Sequence, residues 1–226
     1  MLMIFYLIAT SLLLILVTKT NKNRTNETRD LISIHDFFKH ASEQSSDEQV
    51  RSSVVAIQHL NSIIHLQSDV DEDNRLLIIE LTMLALKSYP DNDKIILLSL
   101  TLSSLLANND AVIQKIIWKD SNYLQVIIGT MQSSLSRAKA IDEPLEHDER
   151  LSAEIQRRGC LFLGGFSDDA DAVKQIIDLG GINAVIEALQ WYRFHAGVCK
   201  WGLWAVFHMC YDRQELQSEY LYISLY

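Results

Sequence analysis

Proline and glycine are scarce, with 2 prolines and 8 glycines among 226 residues, so the chain lacks the turn formers that many short strands require. Leu and Ile dominate a hydrophobic fraction of 48%, and long helices suit that balance, giving an all-α reading. Cysteine is also scarce. Cys160, Cys199 and Cys210 are odd in number and confined to the C-terminal third, which excludes a secreted disulfide framework and fits apolar core thiols in a reducing compartment. Basic residues are outnumbered, 20 against 29 acidic, for a net charge of −9. That is the wrong sign for neutralising a phosphate backbone, so no nucleic acid is expected as partner.

Catalytic signatures are missing as well. The chain has no P-loop, G-x-G-x-x-G, G-x-S-x-G or kinase motif. His35 and His40 lie five apart and His59 and His65 six apart, neither repeating the metalloprotease spacing. His195, Cys199, His208 and Cys210 follow no common zinc pattern. The expectation is a non-enzymatic protein without a cofactor.

The apolar residues that are present form two kinds of pattern. Residues 1–18 carry no charged side chain, and as a helix at ~1.5 Å per residue they extend about 27 Å, close to the hydrocarbon thickness of a bilayer. Lys19, Lys22, Arg24 and Arg29 follow, and by the positive-inside rule they keep the remainder of a single-pass chain in the cytosol. The segment is read as a transmembrane anchor, with a cleaved signal sequence as the alternative. Asn23-Arg24-Thr25 and Asn26-Glu27-Thr28 are glycosylation sequons that matter only in a secretory lumen. Residues 19–34 are a polar tether.

From residue 35 to the end, apolar side chains recur at helical spacing: Val54, Ile57, Leu60 and Ile64; Leu77, Leu81, Leu84 and Ala85; Ile95, Leu98, Leu102 and Leu105. Tyr89 to Asn92 and Asn108 to Asp110 are turns between them, and the charge-free stretch 95–109 reads as a buried helix too short to span a membrane. The C-terminal half repeats itself at a shift of 43 residues, pairing Ile155 with Val198, Gly159 with Gly202, Leu163 with Val206 and Phe166 with Met209. Between these blocks, Gly180-Gly181 separates Ala172 to Leu179 from Ile182, Val185, Ile186 and Leu189. The glycines permit a left-handed cap, while Gly159 and Gly202 allow close helix approach.

This block resembles the armadillo repeat, whose period lies in the range of roughly 40–47 residues. A weaker copy runs from Val112 to Met131, separated from the later one by a polar insertion read as a loop at about 137–152. The resemblance implies an armadillo-like right-handed α-solenoid of three to four units over 35–226. Its last unit, beginning near Leu216, is read as incomplete. It also implies a protein-binding scaffold. An armadillo-like nucleotide exchange factor of the secretory pathway is the alternative. The Trp-Asn pairs of importin-α proteins are absent, since the tryptophans precede Lys119, Tyr192, Gly202 and Ala205.

Two sets of side chains are candidate sites. Trp201 and Trp204, within a cluster that includes Trp191, Tyr192, Phe194 and Phe207, are expected to contact a protein partner, with Arg193 and Lys200 adding polar contacts. Asp69, Asp71, Asp73 and Glu80 occupy positions 1, 3, 5 and 12 of a calcium loop, the weaker reading, because Asn74 replaces the turn glycine. The same acids also suit the start of a helix.

Overall fold

The computed structural model describes residues 53–54, 57–58, 72–107, 111–119, 121–140, 146–211 and 213. The described residues are helical, without strands. Their eight helices are α1 (Glu72–Ser88), α2 (Asp93–Ala107), α3 (Ala111–Lys119), α4 (Ser121–Ala140), α5 (Glu146–Gly164), α6 (Ala170–Asp178), α7 (Gly181–Trp191) and α8 (Ala196–Cys210).

Local chemistry sets several of these boundaries. Tyr89 to Asn92 breaks α1 from α2, and the Asn92 side chain accepts a hydrogen bond from the Ile95 amide at 3.1 Å, capping α2. Asp169 caps α6 by accepting from the amides of Asp171 and Ala172, each at 3.0 Å. Asp169→Ala is expected to lower stability by about 1 kcal/mol, measured by urea denaturation; no change would show that water replaces this cap without loss. Gly180 has φ of +77°, the left-handed region in which a side chain is strained, and it redirects the chain from α6 into α7. His195 caps α8 through Nδ1, which accepts from the Val198 amide at 3.2 Å.

The buried helix expected near 95–109 is α2, with Ile95, Ile96, Leu100 and Leu102 fully buried. Three of its hydroxyls are reconciled with the core by bonding locally: Ser103 Oγ donates to the Ser99 carbonyl at 2.9 Å, and Ser104 and Thr101 reach the carbonyls four residues back. Ser103 also lies 2.6 Å from the Tyr123 hydroxyl, which is 2.9 Å from Thr82 Oγ1. This polar cluster ties α1, α2 and α4 together, and burial raises the Tyr123 phenol above its ordinary pKa despite these bonds.

Helices of like position pack on one another. α5 lies between α2 and α8, α4 touches α1 and α7, and α3 touches α6. Within hairpins, α1 packs on α2, α4 on α5 and α7 on α8. The paired glycines explain how two of these hairpins close. A Cβ at Gly159 would lie 2.3 Å from Met131 Sδ of α4, and one at Gly202 would lie 2.7 Å from Leu189 Cδ2 of α7. The same device thus recurs at the 43-residue shift, and every other paired residue, from Ile155 and Val198 to Phe166 and Met209, is buried.

The insertion at 137–152 is not a loop over its described part, which corrects the sequence reading. Residues 137–140 are the last turn of α4 and 146–152 the first turns of α5. α4 has 20 residues where α7 has 11, and α5 has 19 where α8 has 15, so much of the added length is helical. Tertiary contacts hold it. Arg137 pairs with Asp93 at the start of α2 at 2.6 Å and with Asp91 of the α1–α2 turn at 3.1 Å, while Lys139 pairs with Glu187 of α7 at 3.2 Å. Buried Ser134 and Ser152 lie 3.1 Å apart across the hairpin. The end of α4 therefore straps the helices on both sides of it.

Candidate partner-binding surface

α8 carries most of the predicted site. One side is committed to the core: Val198, Gly202, Ala205, Val206, Met209 and Cys210 are buried. Trp204 is partly buried, and a Cβ at Gly164 would fall 2.4 Å from its Cζ3. The Gly164 backbone of α5 is thus the floor under the Trp204 ring. Trp201 meets Trp204 edge to face, with centroids 5.6 Å apart, and both rings pack against the core while keeping part of their surface accessible. The structure therefore brings these two tryptophans together.

Arg193 and Lys200 sit against rings rather than apart from them. Lys200 Nζ is 4.8 Å from the Trp201 centroid and Arg193 Cζ is 4.9 Å from that of Phe194, both within cation–π range. Phe194 is 89% exposed, whereas Tyr192 of the same cluster is turned inward and buried. Lys139 lies 5.9 Å over exposed Trp191, a pairing across the strapped end of α4 that sequence adjacency could not reveal.

The sequence reading missed Leu203 and Tyr211. Both are exposed, as is Phe207, and together with Ala196 and Lys200 they step along one face of α8 at intervals of four, three, four and four residues. The signal was present in that spacing, but it is indistinguishable from a core stripe until the buried face of α8 is known. From Ala188 to Tyr211 there is no acidic residue, so Arg193 and Lys200 give this region a positive balance within a chain of net charge −9.

Several other titratable groups are tied into the packing. Partial burial pushes the Glu154 carboxyl up, but Arg157 by hydrogen bond and charge, with Arg158 beside it, brings it below its ordinary value. That pairing steadies Arg157, whose stem lies against Gly197 of α8. Burial lifts the Cys160 thiol to about 12, and burial also raises Cys210, with the Arg213 charge acting in the opposite sense. Cys199 lies 3.3 Å from the Arg193 carbonyl. His195 serves as a cap, and His208 packs its ring 4.9 Å from that of Trp204.

Asp69 and Asp71 lie outside the described residues. Asp73 and Glu80 belong to the continuous helix α1, which sets them about 10 Å apart along its axis. A twelve-residue calcium loop instead curls its ligands around one ion, so the 72–80 part of that pattern has helical rather than loop geometry. Among the described residues, no group of three His, Cys, Asp or Glu side chains is placed to hold a metal. Among them, too, no helix is long and apolar enough to cross a membrane; residues 1–18 and the tether to residue 34 lie outside the described residues. Compared with protein-family models, with curated proteins and with solved structures, the chain gives no match.

Proposed function

We propose that this protein is a non-enzymatic scaffold that binds a protein partner on the surface of an armadillo-like α-solenoid. The observation carrying this reading is the set of large apolar side chains exposed at and beside α8: Leu203, Phe207 and Tyr211 along the helix and at its end, with Trp191 at the end of α7 and Phe194 in the turn before α8. Exposed large apolar groups, where they cluster, mark interaction surfaces in soluble proteins, and aromatic residues with Arg are the side chains that dominate interface energetics. The order of packing supports the solenoid part: like helices adjoin like, as in repeat arrays whose units contact only their neighbours. Tethering through residues 1–18 rests on their apolar length alone.

Proximity labelling with a biotin ligase on the full chain tests both parts. Labelling of a defined set of proteins should fall several-fold in a Trp201→Ala, Phe207→Ala variant that retains its helical circular dichroism. A labelled set unchanged by that variant would remove the α8 surface from the proposal. The full chain is expected to resist carbonate extraction from membranes, and a chain lacking residues 1–18 to be released; extraction of both would dispose of the anchor.

A further inference from the structure

The buried apolar side chains divide into two cores. The larger runs through all eight helices, and Trp201 and Trp204 pack against it. The smaller holds, among the described residues, Leu135, Ala153, Ala188, Tyr192 and Val198. These come from the C-terminal ends of α4 and α7 and the N-terminal halves of α5 and α8. Two of the five are alanines, so this core removes little apolar area from water.

Polar groups stand along the division on α4 and α5. Between Met131 of the larger core and Leu135 of the smaller lies Ser134, buried and 3.1 Å from buried Ser152, which precedes Ala153. Gln156, next to Ile155 of the larger core, is fully buried and donates from Nε2 to the Met131 carbonyl at 2.9 Å. Its Oε1 has no hydrogen-bond partner among the described residues. An unpartnered buried oxygen is destabilising, and a polar layer interrupts the apolar packing that makes neighbouring regions unfold together. Beyond the layer, Lys139–Glu187 and Arg137–Asp91 each include a largely exposed partner, and ion pairs of that exposure contribute little.

We infer that the smaller core, with residues 134–140, 150–154 and 190–198 around it, is a separate cooperative unit that opens and recloses while the larger core stays folded. It carries exposed Trp191 and Phe194 together with Arg193, whereas Trp201 and Trp204 rest on the larger core. The aromatic region is thereby divided into a fixed part and a part that rearranges without unfolding the rest. Regions of few apolar contacts are the ones that open first in native proteins. The inference is independent of what the α8 surface binds.

Amide hydrogen exchange of the full chain tests this, read by mass spectrometry of its peptides under conditions where the rate follows the opening equilibrium. Protection across 134–140, 150–154 and 190–198 should be at least about tenfold lower than across 124–131, 160–166 and 182–188. Helix ends that fray one by one would give the same contrast, so two variants decide. Leu135→Ala should speed exchange across 190–198, in the other hairpin, by the same factor as across 134–140. Leu135→Val replaces it if helical circular dichroism is lost. Ile128→Val, in the larger core, should speed exchange across 124–131 and 182–188 several-fold and leave the three segments of the smaller unit unchanged. An effect of Leu135→Ala confined to α4, acceleration of every peptide by Ile128→Val, or equal protection in the two sets would overturn the inference.

Discussion

Phe162→Ala is expected to destabilise the protein by about 3–5 kcal/mol, the combined loss of apolar transfer and the cavity left behind. Phe162 is 3% exposed on α5, stacked on Tyr123 of α4 with centroids 6.1 Å apart and set edge-on to Phe166 at 5.2 Å. Tyr123 in turn bonds to Thr82 and Ser103 of α1 and α2, so the ring stands where α5 meets the polar cluster joining three other helices. Tyr123, held through its hydroxyl by Thr82 and Ser103, cannot readily collapse into the space, which places the expected cost in the upper range of core truncations. Urea denaturation followed by circular dichroism provides the measurement, with Phe194→Ala as the comparison. Phe194 is 89% exposed, and truncation there should change stability by no more than about 0.5 kcal/mol. Equal losses at the two positions would mean that Phe162 does not occupy a closed core.

Gly164→Val is expected to cost about 1–3 kcal/mol through overpacking, and the loss should depend on Trp204. The Cβ position of Gly164 falls 2.4 Å from Trp204 Cζ3 and 3.0 Å from the Ala205 Cβ, so the new side chain must displace a rigid ring or separate α8 from α5. Neither adjustment is small in a close-packed interface. In a Trp204→Ala background the clash with the ring is gone, and the penalty should shrink by about 0.5–3 kcal/mol, the range of coupling between residues in contact. An identical penalty in both backgrounds would show that Gly164 is required for some reason other than the ring. The pair also bears on binding: with Trp204 displaced, the aromatic face of α8 loses the support that fixes Trp201 beside it.

Much of the helical pattern was legible because it depends on period and punctuation. The boundary at Pro90, the charge-free helix α2, the left-handed Gly180 and the close approaches at Gly159 and Gly202 each follow from what a residue permits its own backbone to do. The polar segment at 137–152 was misread for an equally physical reason. Its charges and hydroxyls look like solvent-exposed loop chemistry, yet Arg137 is held by Asp91 and Asp93, Lys139 by Glu187, and Ser134 approaches Ser152. Those partners are remote in sequence, and no local propensity encodes them.

The site divides in the same way. Composition and spacing alone determined an all-helical chain, a repeat of 43 residues in its C-terminal half and a concentration of aromatics near Trp201, because hydrophobic period and glycine placement are local properties. Only the tertiary structure decided that Tyr192 turns inward while Phe194 stands in solvent, that Trp204 rests on Gly164, and that Leu203, Phe207 and Tyr211 remain uncovered. An apolar stripe on a helix specifies that something must pack against it; whether a neighbouring helix already does is settled by the arrangement of the other helices, which no short stretch of sequence contains.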